Sequence, residues 1–141
     1  MEIEEAITRA KKNDQKAFNY LLDLFWDNVY GFQLKRTRNE NDAEDITIQT
    51  FSKAFDKIET YDEQYTFKTW LITISKTEQH LAKLLRDIKK LKPHYQEVIN
   101  LRYFQELSYK EISKELKEPI NNVKVKLLRA KKLLAEIIRE K

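Results

Sequence analysis

The chain has 141 residues, of which 41% are hydrophobic and 35% are charged, and its formal net charge is +4 at pH 7. This length fits one ordinary domain or two very small ones. One glycine and two prolines are too few for the turns of a sandwich, a barrel or an open α/β sheet. The absence of cysteine excludes disulfides and zinc–thiolate sites. We therefore predict an all-α fold.

The sequence also indicates the cellular compartment and the kinds of catalytic or metal site that the chain can hold. No apolar run approaches the roughly 20 residues of a membrane span, and the acidic first five residues do not resemble a signal peptide. We therefore expect a cytoplasmic protein. Two histidines, His80 and His94, offer little for a metal or acid–base site. No catalytic triad or pair of catalytic carboxylates stands out, so we expect no enzymatic activity, no metal and no cofactor.

The first half of the chain reads as helices separated by short polar breaks. Apolar residues recur at helical spacing over residues 2–11, 14–37 and 42–57. Asn41 and Glu44 have the spacing of a capping box, which places the start of the third helix at Asn41. A polar, aromatic loop covers residues 61–65.

A long apolar pattern follows that loop. Thr66 is placed to cap a helix that carries Phe67 and Trp70, and the pattern continues to Leu91. No glycine or proline lies between Gly31 and Pro93. The pattern is compatible with one continuous helix over 66–91 or with two helices that break near Thr77.

The last third predicts a helix-turn-helix. Helices are expected at 93–104, at 109–116 after a Ser108–Glu111 capping box, and at 120–139. Residues 117–119 form the break, and Lys117 stands where many such turns carry glycine. Lys117 must therefore adopt a left-handed conformation, or the turn must differ.

The last predicted helix has the residues of a DNA-recognition helix. Between Pro119 and Ala135 there are five basic residues and no acidic ones, which suits a polyanionic partner. Asparagine can pair with adenine, and basic side chains reach guanine or phosphates. The predicted DNA-binding residues are Asn121, Asn122, Lys124, Lys126, Arg129 and Lys131. An amphipathic helix with a solvated basic face is the simpler alternative.

Charge is distributed unevenly along the chain. Residues 1–60 carry a net charge of −3, residues 61–90 carry +2, and residues 91–141 carry +5. An acidic front and a basic back indicate two surfaces with different partners.

Two long segments resemble the extracytoplasmic-function (ECF) group of bacterial sigma factors, in the sigma-70 family, whose members contain only the second and fourth sigma domains. Residues 41–55 and 67–71 are similar to the D-A-E-D and F-[RK]-x-W-L signatures of the second domain. Residues 91–104, 107–112 and 123–130 are similar to the fourth-domain patterns. The resemblance covers roughly 110 of the 141 residues and implies two small helical domains, a second-domain-like bundle and a C-terminal helix-turn-helix.

The resemblance also implies partners and roles. The residues that match the segment docking on the β′ clamp helices of core RNA polymerase are Asp42, Glu44, Asp45, Gln49 and Phe51. The residues near the part that melts and captures the −10 element are Tyr61, Tyr65, Lys68 and Trp70. The final helix matches the part that reads the −35 element. The simpler readings are that Phe51 and Trp70 are core residues.

The resemblance implies two domains joined by a linker that is shorter than in the family. Residues 1–76 correspond to the second domain and residues 91–141 to the fourth, which leaves only 77–90 for a linker that is longer in the family. The expected partners are core polymerase, through the β′ clamp helices and the β flap, promoter DNA and an anti-sigma factor. A helix-turn-helix regulator that does not dock on polymerase is the alternative, but it has no use for the acidic 42–51 face.

Overall fold

The computed structural model describes residues 1–139, and none of these residues lies in a strand. The all-α prediction is confirmed. The seven α-helices are α1 (Ile3–Ala10), α2 (Gln15–Thr37), α3 (Glu40–Asp56), α4 (Phe67–Ile88), α5 (Pro93–Ile99), α6 (Tyr109–Leu116) and α7 (Ile120–Arg139). No helix within residues 1–139 is both long and apolar enough to cross a membrane.

The cap of α3 differs from the sequence prediction. Asn39, not Asn41, is the N-cap, and its side-chain oxygen accepts a hydrogen bond from the Asp42 amide at 2.9 Å. Both asparagines have an acidic residue three positions later, so spacing alone cannot separate them. Asn39 has the extended backbone that an N-cap needs, and Asn41 already lies inside the helix.

The region after the aromatic loop forms one helix. Helix α4 runs from Phe67 to Ile88 without a break near Thr77. The Thr66 hydroxyl accepts a hydrogen bond from the Thr69 amide at 3.1 Å, as expected of its cap. With neither glycine nor proline in this stretch, nothing in the local sequence ends the helix earlier.

The helix-turn-helix forms as predicted, with one difference upstream of it. The predicted helix 93–104 divides into α5 and a π-helical turn over Asn100–Phe104, closed by a 3.0 Å bond from the Gln105 amide to the Asn100 carbonyl. The capping box of Ser108 and Glu111 is present at the start of α6. Lys117 ends α6 in the left-handed region at φ 56°, so lysine takes the conformation that glycine usually supplies.

Backbone contacts divide the chain into two compact units, residues 1–82 and residues 83–141. We call these the first and second units. The first unit packs α1, α2, α3 and the start of α4 around Leu21, Val29, Phe51 and Leu71. The second unit packs α5, α6 and α7 around Val98, Ile112, Val123 and Leu127. Each core is small, so truncation of one large buried side chain should measurably lower the stability of that unit.

The two units carry opposite charge. Residues 1–82 hold eleven basic and fifteen acidic side chains, a net charge of −4, whereas residues 83–141 hold sixteen and eight, a net charge of +8. The difference of twelve charges is far larger than the overall +4 suggests. The two units therefore suit partners of opposite charge.

Candidate protein and nucleic-acid interfaces

Helix α3 presents an acidic and polar face to solvent. Ala43, Ile46 and Thr50 lie on its buried side, and the hydroxyls of Thr47 and Thr50 donate to the carbonyls one turn earlier at 2.7 Å. This satisfies their polar groups inside the core. Of the predicted docking residues, Glu44, Asp45 and Gln49 are exposed and Asp42 is half-buried. Exposed Ile48, which the sequence analysis did not select, lies on the same face.

Phe51 lies in the core of the first unit. Its ring stacks on Trp26 at a centroid distance of 6.0 Å and tilts against Phe55 at 5.8 Å. The side chain is buried, so in this fold it offers no surface to a partner. Its observed role is to hold α3 against α2, which places the exposed carboxylates one helix face away.

The residues predicted near the −10 element form an aromatic cluster with an exposed edge. Tyr61 is buried, and its ring lies 5.3 Å from Phe67 and 5.2 Å from Trp70. Its hydroxyl donates to the Tyr65 carbonyl, and burial, followed by the nearby carboxylates, raises the Tyr61 pKa. Trp70 is half-buried, whereas Tyr65 and Lys68 are exposed.

A cleft of about 420 Å³ opens beside this cluster. Its apolar wall includes Ile3 and Ile7 from α1, and its rim includes Tyr65 and Lys68. An exposed aromatic ring offers a face on which a nucleic-acid base can stack, and a nearby lysine offers a positive charge for the phosphate backbone. Tyr65 and Lys68 are therefore the accessible members of this set, while Tyr61 and Trp70 pack against each other in the cluster.

Helix α7 places most of its predicted DNA-binding residues on the surface. Asn121, Asn122, Lys124, Arg129 and Lys131 are all exposed. Lys126 differs, because its ammonium nitrogen lies 2.8 Å from both carboxylate oxygens of Glu118. The two side chains are 21% and 33% exposed. Lys126 is therefore neutralised within the second unit rather than presented to solvent like its neighbours.

The ammonium groups of two lysines of α7 lie close to tyrosine rings. The Lys124 nitrogen is 5.7 Å from the ring centroid of Tyr109, and the Lys131 nitrogen is 5.3 Å from that of Tyr103. A hydrogen bond with Tyr103 raises the Lys131 pKa. These contacts hold both ammonium groups along one edge of α7, where they can reach a phosphate.

A basic cluster in the acidic first unit was not found from the sequence. Arg36 lies 5.3 Å and Lys76 lies 5.7 Å from the ring centroid of Phe32, and the Arg36 Nε donates to Gln79 at 2.6 Å. A buried bond from Gln33 to Ser75 at 3.0 Å fixes α2 against α4 at this point. Only the spacing of Phe32 and Arg36 signals the cluster in the sequence, because its other half comes from another helix.

An all-helical chain with a helix-turn-helix and a separate acidic helix face has the construction of a DNA-binding protein that also docks on a protein partner. Two family models match it: Sigma-70 region 2 over residues 25–92 and Sigma-70 region 4 over residues 81–134. The chain belongs to the sigma-70 family of RNA polymerase sigma factors, in the ECF group. The resemblance seen in the sequence is thereby confirmed.

Similar proteins include two named ECF sigma factors. The chain is 27% identical to SigW of Bacillus subtilis (strain 168), with 99% of this chain and 98% of SigW covered. It is 27% identical to BldN of Streptomyces coelicolor, with 95% of this chain and 65% of BldN covered. A solved RsbN–BldN complex matches with 31% identity, 93% and 98% coverage and a TM-score of 0.48. CnrH in complex with the cytosolic domain of CnrY matches with 22% identity, 96% coverage of both chains and a TM-score of 0.45.

The comparisons also bear on the short linker. The alignment with SigW spans 184 positions, so at least 43 of them hold no residue of this 141-residue chain. The two family matches overlap over residues 81–92 instead of being separated. Both observations agree with a shortened connection, but neither places the missing positions, so the short linker at residues 77–90 stays a prediction.

Proposed function

We propose that the first unit docks on core polymerase through the exposed face of α3, and that α7 of the second unit reads the −35 element. The separation of charge is the observation that carries this proposal. The unit with the matched docking residues is net −4, and the unit with the recognition helix is net +8. An acidic helix face suits a basic clamp, and an acid-free helix suits phosphates.

The −10 element is assigned to the aromatic loop and its cleft. Tyr65 and Lys68 supply exposed stacking and charge at the rim, and Tyr61 and Trp70 supply the packed base. Arg36 and Lys76 are added as phosphate contacts in the same unit, because they are basic groups fixed by Phe32. The partners proposed are core polymerase, through the β′ clamp helices and the β flap, and promoter DNA.

The site of action follows from the partner. The chain acts with cytoplasmic polymerase, and it contributes binding rather than a catalytic group of its own. The family resemblance adds an anti-sigma factor to the proposed partners. Such a protein would compete with polymerase if it covered Glu44, Asp45 and Gln49.

The docking surface is tested with a charge-reversed variant, Asp45→Lys with Gln49→Lys. Both side chains are exposed, so the thermal unfolding of the variant should barely change. We expect weaker binding to core polymerase in a competition assay. The matched control is Asn19→Lys with Asp23→Lys, an exposed pair on α2 with the same spacing and the same charge change. Equal binding by the docking variant and the control would contradict the proposed surface.

Binding to core polymerase also distinguishes a sigma factor from the alternative function. A helix-turn-helix regulator that does not dock on polymerase would bind duplex DNA alone and show no affinity for the core enzyme. A sigma factor needs polymerase for tight, specific promoter binding. Promoter binding that is unaffected by core polymerase would favour the regulator.

A further inference from the structure

The outward face of α7 is not wholly polar. Val125 is 46% exposed and Leu128 is 56% exposed, while Val123, Leu127 and Ala130 on the opposite side are buried. Residues three apart on a helix are neighbours, so Val125 and Leu128 form one small apolar patch. The patch lies in the first three turns of α7, the part that a recognition helix inserts into the groove.

Polar and basic residues surround this patch. Asn121 and Arg129 lie one turn either side of Val125, and Lys124 and Lys132 lie one turn either side of Leu128. All four are exposed, and no acidic residue occurs from Pro119 to Ala135. A rim of this charge is complementary to a polyanion rather than to an ordinary apolar protein surface.

The major groove offers one apolar group among the base edges, the 5-methyl group of thymine. We propose that Val125 and Leu128 read thymine methyl groups, so that the site bound by α7 contains thymines within about two base pairs of one another. The spacing follows from side chains about 5–6 Å apart and base pairs 3.4 Å apart. The inference rests on the proposed function, because it needs α7 in the groove.

The state of Lys126 strengthens this reading. Its ammonium is held by Glu118, so it is withdrawn from the polar readers of the helix. Asn121 and Asn122 remain to donate to base edges on one side of the patch, and Arg129 remains to contact a phosphate on the other. The apolar pair therefore occupies the middle of the contact surface.

The first experiment uses the wild-type chain and DNA that lacks only the methyl group. Duplexes are selected from a random library with the full chain and core polymerase, and each thymine of the selected −35 region is replaced in turn by deoxyuridine. Deoxyuridine keeps the hydrogen-bonding pattern of thymine. We expect about a threefold to fourfold loss of affinity for each methyl group that is contacted.

The second experiment assigns the contact to the patch. We expect Leu128→Ala to weaken binding to the thymine duplex and to remove its preference for thymine over deoxyuridine at one position, with Val125→Ala acting at the other. Leu133→Ala is the matched control, because Leu133 is 37% exposed on the same helix but lies off this face. The control should keep both the affinity and the preference.

The outcomes separate the inference from the function on which it rests. If Arg129→Ala weakens −35 binding but deoxyuridine is tolerated at every position, the methyl reading is overturned and the DNA-binding role stands. If neither Arg129→Ala nor deoxyuridine affects binding, both are overturned. A change in oligomeric state on Leu128→Ala, with the thymine preference intact, would show that the patch is a protein contact.

Discussion

The Glu118–Lys126 pair should limit the electrostatic contribution of α7 to DNA binding. Lys126 donates to both carboxylate oxygens at 2.8 Å, so one of the five basic residues between Pro119 and Ala135 is already neutralised. Each phosphate contact by a basic side chain contributes about −0.9 to the slope of log affinity against log salt. We expect Arg129→Ala to flatten that slope by about 0.9 and Lys126→Ala to flatten it by much less.

Releasing the lysine gives the opposite expectation. Glu118→Gln removes the carboxylate and frees the ammonium for a phosphate, so the slope should steepen by about 0.9. The affinity of the variant for DNA at low salt should therefore exceed that of the wild type. The ratio of the two affinities should fall by about threefold to fourfold between 50 and 200 mM salt. The pair is only partly buried, at 21% and 33% exposed, so the variant should lose less than about 1 kcal/mol of stability.

The assay is a salt titration of binding to a −35 duplex by the full chain with core polymerase, followed by fluorescence anisotropy. The double variant Glu118→Gln with Lys126→Ala is the control, and it should behave like Lys126→Ala alone. If Lys126→Ala flattens the slope as much as Arg129→Ala, the lysine leaves Glu118 on binding DNA. In that case the Glu118–Lys126 pair does not limit DNA binding by α7.

Four further substitutions test the fold beneath the interfaces. Leu71→Ala should cost the first unit about 2–5 kcal/mol, measured by urea unfolding, because the side chain is fully buried. Ser108→Ala should cost the second unit about 0.5–2 kcal/mol through loss of its cap, and an unchanged midpoint would count against the cap. Hydrogen bonds from Ser108 lower the pKa of Glu111, so stability should fall as pH drops below the ordinary carboxyl range, and less so in Glu111→Gln. Lys117→Gly should stabilise the turn by up to about 1 kcal/mol, seen as a higher midpoint, because φ is 56° there.

The sequence predicted helix boundaries correctly wherever the capping and turn residues of a single helix set them. The capping box at Ser108 and the bounds of α6 and α7 followed from spacing and from the break at 117–119. The start of α3 did not, because two asparagines had equivalent partners. The π-helical turn over Asn100–Phe104 has no signal in the periodicity of the sequence.

Side-chain availability was harder to predict than helix position. The burial of Phe51 depends on Trp26, which is distant in the sequence, and the neutralisation of Lys126 depends on Glu118 across the turn. Arg36 and Lys76 meet only because α2 and α4 pack together at Phe32. Such pairs form only when the helices pack together, and the periodicity of the sequence does not show which distant residues will meet.

We propose that this chain directs core polymerase to promoters through both of its units. The most direct measurement maps the 5′ ends of transcripts made in vitro from a genomic DNA library by core polymerase, with and without the chain. We predict new start sites that share an upstream motif at −35 and that are lost with Arg129→Ala and with the Asp45→Lys, Gln49→Lys variant. The same start sites with and without the chain, under conditions in which it binds polymerase, would contradict the account.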